Sequence, residues 1–276
     1  MSSRINASTC LMRLSNGMWQ KWPSSLIRNR SFDWFKCDKC HIFKRRISQS
    51  MRVDLSKFDF KSSEILSSLS ESNRKLVIES SEKLSFKKGK LIFYEGGIPT
   101  GAFLLEGGKA KIYKTGLDGK DQIFYIYKKG ELLGYHALLC NETYEDSCEA
   151  IEDCEIRFIS SANFVKLTKS IPELQTLLIQ NMSHEFGVLV NVITVMAQKP
   201  VRERLALFLL LLSEKYDDQG INLSRDDLAN LTGTARESLG RLLKEMKEDR
   251  LVEIDGRVIR LTNQKGIMKI AKSDYS

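Results

Sequence analysis

The chain has 276 residues and a formal charge of +8, long enough for two domains with cores of their own. No run of about 18 apolar residues occurs, which excludes a membrane-spanning helix. The charge surplus lies in residues 1–50, with ten Lys/Arg against two Asp, while residues 51–276 hold 33 of each sign; a uniformly basic nucleic-acid-binding body is excluded too.

The opening residues mix Arg4, Asn6, Arg13 and Lys21 among apolar ones and lack a signal-peptide core, so a cytoplasmic location is expected. The six cysteines are then thiols or metal ligands rather than disulfides. Residues 1–50 read as a basic N-terminal extension with little structure, in which Trp19, Trp22 and Trp34 follow no sustained period. Cys37-Asp38-Lys39-Cys40-His41 supplies two thiolates on one turn, where zinc or an iron–sulfur cluster needs about four ligands. Cys37 and Cys40 are candidate ligands short of a set, and no metal or cofactor is predicted.

Residues 60–80 carry a short helical pattern with Ile65, Leu66, Leu69, Leu76, Val77 and Ile78 as its apolar side. From 84 to 159, short apolar segments recur between glycines, among them Leu91-Ile92-Phe93-Tyr94, Ala102-Phe103-Leu104-Leu105, Ala110-Lys111-Ile112-Tyr113, Ile123-Phe124-Tyr125-Ile126-Tyr127 and Ile156-Arg157-Phe158-Ile159. Many short strands at that spacing predict an antiparallel barrel or jelly roll. Residues 130–156 contain eight acidic side chains and neither Lys nor Arg.

Ser170-Ile171-Pro172 marks the start of a long helix, since proline is tolerated in the first turn. Ile179, Met182, Phe186, Leu189, Ile193 and Met196 alternate four and three apart, a seam of period 3.5 that predicts a parallel two-helix dimer contact. Leu174, Leu177 and Leu178 are assigned to the helix's own β-roll, and Asn181, His184, Glu185 and Asn191 fall mostly off the seam. Lys199-Pro200 predicts a hinge before the apolar run at 205–212, a buried helix.

Ser224 stands where an N-cap belongs, with Asp226 and Asp227 in the first turn, favourable to the helix dipole. Leu228 and Leu231 form its apolar stripe, and Thr232-Gly233-Thr234 breaks it. Thr234 and Glu237 have capping-box spacing for a second helix. There Leu239, Leu242, Leu243 and Met246 take one side and Arg236, Glu237, Gly240, Arg241 and Lys244 the other. Val252/Ile254 and Val258/Ile259 flank Asp255-Gly256, a hairpin signal. Helix, turn, helix and hairpin make a winged helix-turn-helix.

Thr232-Gly233-Thr234-Ala235-Arg236-Glu237-Ser238-Leu239-Gly240-Arg241-Leu242-Leu243 resembles the recognition helix of the Crp/Fnr superfamily in its Arg-Glu-x-x-x-Arg form. Phe86 to Gly97 resembles the opening strands of a cyclic-nucleotide-binding roll and Gly107-Gly108-Lys109-Ala110-Lys111-Ile112-Tyr113 its next hairpin, and the resemblance covers roughly 52–270. It implies an α+β fold: an antiparallel β-roll (jelly-roll) sensor at 51–168, a central dimerisation helix at 169–199, and a winged helix-turn-helix at 200–276. It further implies that Arg236 and Arg241 donate to guanine, that Glu237 accepts from cytosine, and that Ser238, Thr234 and Lys244 touch phosphate. Glu237 would then exchange its capping role for base contact on binding.

The same resemblance places an effector pocket at Gly130, Glu131, Gly134 and Ser147. Asp146 stands where the family's phosphate-binding arginine would be, and a carboxylate there repels a phosphodiester. Oxygen-sensing members carry Cys-x2-Cys-x5-Cys and a fourth cysteine in the roll; here Arg46 and Arg157 fall at the last two positions, with Cys154 three residues early. Cys10, Cys140, Cys148 or Cys154 could substitute only if folding brought them close. Neither cAMP nor an iron–sulfur cluster is therefore expected, and the effector is left unidentified. His136 is a conceivable ligand or sensor, against a plain packing role.

The expected function is a homodimeric, sequence-specific regulator binding double-stranded DNA at an inverted repeat, with RNA polymerase as the partner the resemblance implies and no membrane partner. The competing reading is a ligand- or metal/redox-sensing module, through Cys37 and Cys40, whose output is a protein partner. An enzyme is not expected, for want of a nucleophile–base pair, a phosphate loop or a metal set.

Overall fold

The computed structural model describes residues 54–217 and 219–272, with two short strands nearer the N-terminus. Those strands, β1 (Leu11–Arg13) and β2 (Trp19–Lys21), pair antiparallel within the extension expected to lack structure. The CxxC segment, Cys37 and Cys40 included, lies outside the described residues.

The helical pattern at 60–80 is two helices, α1 (Ser62–Ser68) and α2 (Glu71–Glu79), because Ser70 caps the second, accepting from the Asn73 amide. Ile65, Leu66, Leu69 and Val77 are buried, whereas Leu76 is half exposed and leaves the predicted apolar set. Two four-stranded antiparallel sheets follow. One orders β3 (Glu82–Phe86), β10 (Cys154–Ser160), β5 (Gly101–Gly107) and β8 (Leu132–Leu133). The other orders β4 (Leu91–Phe93), β9 (Ser147–Ala150), β6 (Ala110–Thr115) and β7 (Asp121–Tyr127). Phe93, Phe103, Leu105, Tyr127 and Ile156 fill the space inside the roll. The polar sequence of β9, Ser-Cys-Glu-Ala, hid it from the apolar pattern, although Cys148 and Ala150 alternate inward. A short helix, α3 (Tyr135–Cys140), interrupts the roll between β8 and β9.

After the roll, α4 (Ser161–Ser170) leads directly into α5 (Pro172–Gln198), with Pro172 in its first turn. Leu174, Leu178, Asn181, Glu185, Val188 and Val192 are buried on α5, again alternating four and three apart. This is a second stripe of the same period, facing the chain's own roll, and its two middle members are polar. Of the predicted seam, Ile179, Met182, Phe186 and Ile193 are exposed, while Leu189 and Met196 are half-buried against the chain's own core.

The C-terminal part comprises α6 (Val201–Lys215), α7 (Arg225–Thr232), α8 (Arg236–Glu248), the hairpin β11 (Val252–Asp255) and β12 (Val258–Leu261), and α9 (Gln264–Ala271). Every residue at 205–212 is buried, so α6 is the axis of this core. Asp255 pairs with Val258, so the hairpin turns at Gly256-Arg257, one residue later than the sequence predicted. Gly256 carries the positive φ (54°) that a type II′ turn requires at its first loop position. Ile123, Ile126 and Ile151 of the roll join the same core, so the roll and the C-terminal winged-helix part share apolar packing.

Candidate nucleic-acid interface and effector cavity

The N-terminus of α7 is held as its sequence requires: the Asp227 amide donates to Ser224 Oγ at 2.9 Å. Its C-terminus closes on Gly233 in the left-handed region (φ 67°), whose amide donates to the Ala229 carbonyl, joined by the Thr234 amide at 3.1 Å. A side chain at 233 would be strained by that φ and would bring a Cβ to 2.3 Å from Met196 Cε. Gly233→Ala is expected to lower stability by about 1–2 kcal/mol, read from urea midpoints; an unchanged midpoint would show that the turn relaxes without cost.

The predicted capping box is absent. Ala235, which has no side-chain acceptor, is the N-cap of α8, because Thr234 is committed to closing α7. Glu237 is therefore free of a capping role and stands exposed, so no exchange of roles is needed on binding. Leu239, Leu243 and Met246 are buried beneath α8, with Leu242 half-buried beside them. Arg236, Glu237, Gly240, Arg241 and Lys244 are exposed on the outer face; Ser238 and Thr234 are half-buried at its edge. Arg236 Nη1 lies 3.2 and 3.1 Å from the two Asp226 oxygens, and both side chains are open to solvent. Such a pair is worth about 0–1 kcal/mol and is readily given up for another acceptor. Arg225, passed over in the sequence, donates to the Arg257 and Gly256 carbonyls at 3.1 and 3.3 Å and ties the wing to α7.

Behind this face the roll grips α7. Lys111 is 7% exposed, and its Nζ lies 2.7 Å from Asp227 Oδ1 and 3.5 Å from Glu149 Oε1. Gln122 Nε2 donates to the Asn230 carbonyl at 2.8 Å. Lys215, at the end of α6, reaches Asp59 at 2.6 Å. Asp59 accepts from the Tyr125 hydroxyl, which also lies 2.6 Å from the buried Glu131. Burial pushes the Glu131 carboxyl up, against the opposing pull of Lys215, Tyr125 and the Lys128 amide.

The roll and α5 line an open-sided cavity of about 280 Å³. Of the four residues predicted for an effector pocket, Gly134 lines it. Glu131 turns into the Tyr125–Asp59 network, Gly130 closes a backbone turn on Leu105, and Ser147 accepts from the Glu95 amide at 3.0 Å. Asp146, Glu185, His136 and Tyr127 line it instead. Glu185 is 2% exposed, with Asn181 Nδ2 2.7 Å from one oxygen and His136 Nε2 2.5 Å from the other. The sequence left Asn181, Glu185 and His136 without assigned partners, since the pair 136–185 is separated by 49 residues.

Burial pushes the Asp146 carboxyl up to about 6, opposed by the charges of His136 and Lys114 and assisted by Glu145 and Glu95. An acid raised in the folded state loses stability as pH climbs from its unfolded value near 4 through 6. Asp146→Asn is therefore expected to gain about 1 kcal/mol at pH 8, shrinking to nothing at pH 4, in paired denaturation curves. An equal gain at both pH values would rule out the ionised carboxylate as the cause.

Burial also raises the thiols of Cys148 and Cys154, the latter to about 11, which disfavours the thiolate a metal needs. Among the described residues no three or more His, Cys, Asp or Glu are grouped to hold a metal ion, and no helix is long and apolar enough to cross a membrane.

The family model for the cyclic nucleotide-binding domain matches residues 83–170, and that for the Crp-like helix-turn-helix domain matches 203–270. Over 192 residues the chain is 24% identical to the transcriptional activator protein FnrA of Stutzerimonas stutzeri, covering 67% of this chain and 78% of that protein. It is 25% identical over 179 residues to the cyclic AMP receptor protein of Thermus thermophilus, covering 65% and 83%. FixK2 from Bradyrhizobium japonicum has a similar fold, with a TM-score of 0.62 at 21% identity over 69% of this chain and 96% of that one.

Proposed function

Because the chain belongs to the Crp/Fnr family of transcriptional regulators, we propose that it acts in the cytoplasm as a homodimer on an inverted-repeat operator, reading bases with Arg236, Glu237 and Arg241. The observation carrying this is the outer face of α8, where those three side chains stand exposed on a helix anchored by Leu239, Leu243 and Met246. Two such helices about one DNA turn apart fit successive major grooves, and the arginines match guanine edges while the glutamate matches cytosine. Thr234, Ser238 and Lys244 flank them toward the phosphates. RNA polymerase is the partner that family membership favours.

The exposed stripe Ile179, Met182, Phe186 and Ile193 supports the dimer, since an apolar row of that period is poorly suited to water. Ile193→Glu is expected to raise the dimer dissociation constant at least tenfold, seen by sedimentation; a monomer–dimer equilibrium that does not move would remove α5 as the contact. An effector would act through the Lys199-Pro200 connection between α5 and α6, by shifting the population between two dimer geometries. The carboxylates of Asp146 and Glu185 at the cavity favour an effector other than a cyclic nucleotide. Selection of bound sequences from random DNA tests the whole reading. An enriched inverted repeat, retained at near-cellular salt, is expected; recovery of unrelated sequences in proportion to their length would overturn it.

A further inference from the structure

The reading of the roll as an effector domain leaves the effector's chemistry open, and the cavity narrows it. We propose that this cavity binds a small organic cation, an ammonium or amidinium group carried on an apolar or aromatic body. The inference rests on the effector role of the roll, and the identity of the ligand class is what it adds.

The walls are apolar and aromatic, with Phe60, Phe93, Phe124 and Tyr144 among them. At about 280 Å³ the space is at the lower edge of small-molecule pockets, roughly 300–1,000 Å³, so the occupant is small. Its polar end is anionic. Glu185 already has both oxygens engaged, by Asn181 and His136. Asp146 lines the cavity, its carboxyl held up by burial while the charges of His136 and Lys114 pull against it. Lys114, the nearby lysine, is spent on Glu95 and Glu145 at 3.0 Å each, on the exposed rim.

An independent observation concerns Tyr127. It is 0% exposed, it lines the same cavity, and its hydroxyl has no hydrogen-bond partner among the described residues. A buried hydroxyl left unpaired costs roughly 1–3 kcal/mol, and such a group calls for a partner. An ammonium brings three donors and no acceptor. It can therefore donate to a carboxylate and to a hydroxyl oxygen alike, while aromatic faces favour a cation above them. A phosphate or carboxylate ligand meets the opposite situation, with like charge at Asp146 and with the His136 ring already held by Glu185. A divalent metal would need a ligand group that the described residues do not assemble.

Met182 and Phe186 of α5 line the cavity as well as belonging to the exposed stripe, so an occupant would bear on the surface offered to a second copy.

The test uses the purified full-length chain, with calorimetric titration and thermal unfolding at pH 7.5. The probes are 2-phenylethylammonium, n-butylammonium and benzamidinium, against phenylacetate, cAMP and Zn²⁺. At least one cation is expected to bind at one site per chain and raise the unfolding temperature. Asp146→Asn is expected to weaken it at least tenfold, and Tyr127→Phe about threefold or more, with both variants still unfolding cooperatively. Absence of binding by all three cations, or binding indifferent to both substitutions, overturns the proposal. So does phenylacetate, cAMP or Zn²⁺ binding that Asp146→Asn abolishes. Operator selection run in parallel separates this outcome from the DNA reading: an enriched inverted repeat without cation binding defeats the ligand class alone. Cation binding without any enriched sequence defeats the regulator reading instead.

Discussion

Arg236→Ala is expected to weaken binding to the selected operator by roughly 30-fold to 10⁴-fold, with stability of the free protein nearly unchanged. A bidentate arginine–guanine contact discriminates by about 1–3 kcal/mol, and a dimer makes it once in each half-site, which doubles the figure. The free-protein cost is small because the Asp226 ion pair that Arg236 leaves is largely exposed to solvent. The loss should be concentrated at one base pair per half-site, where the variant should accept other bases. Titrating the operator and its single-base variants by gel retardation checks both parts. Equal weakening on every sequence would reduce Arg236 to a phosphate contact.

Lys111→Met is expected to cost about 3–5 kcal/mol, a larger change in stability than either Gly233→Ala or Asp146→Asn should bring. The lysine is buried between Asp227 and Glu149, so removing it strands a carboxylate beneath α7. Burial pulls the Lys111 pKa down, but the two carboxylates outweigh it and hold it above the ordinary lysine value. A raised lysine contributes fully below its unfolded pKa, and the contribution disappears only as pH climbs through the folded value. The ion pair is therefore intact throughout the neutral range and is lost only in strong alkali. Lys111→Met with Asp227→Asn should recover much of the deficit, since an absent pair is cheaper than half of one. A double-mutant cycle in urea measures the coupling; a single-variant loss below about 1 kcal/mol would show that water reaches the site.

What the sequence disclosed were features written in neighbouring residues. The leucines of α8, the Gly233 turn, the proline opening α5 and the glycine-punctuated strands each carry their period or their φ requirement locally. What it concealed were partnerships over distance. Lys111 meets Asp227 across 116 positions, and nothing in Ala110-Lys111-Ile112 says that both faces of β6 are covered. One signal was available: a lysine inside an apolar strand needs a buried anion. Asn181 and Glu185 read as polar residues lying off the α5 seam, yet they are members of a second stripe. Two 3.5-residue stripes on one helix are hard to separate when the second contains polar residues. The capping box failed for a different reason, since Thr234 could end one helix or begin the next, and the left-handed Gly233 decided in favour of ending.

The grip of β6 and β7 on α7 bears on how freely the two halves of this protein can be exchanged. Family-wide matching treats the roll and the helix-turn-helix as separate modules, but a chimera joined at Pro200 would inherit a mismatched seat. A foreign roll lacking a lysine at 111 and a glutamine at 122 would take away the partners that this roll gives to Asp227 Oδ1 and the Asn230 carbonyl. Successful transplants should therefore carry the β6–β7 ribbon along with the DNA-reading half, moving the practical seam of the molecule into the sensor.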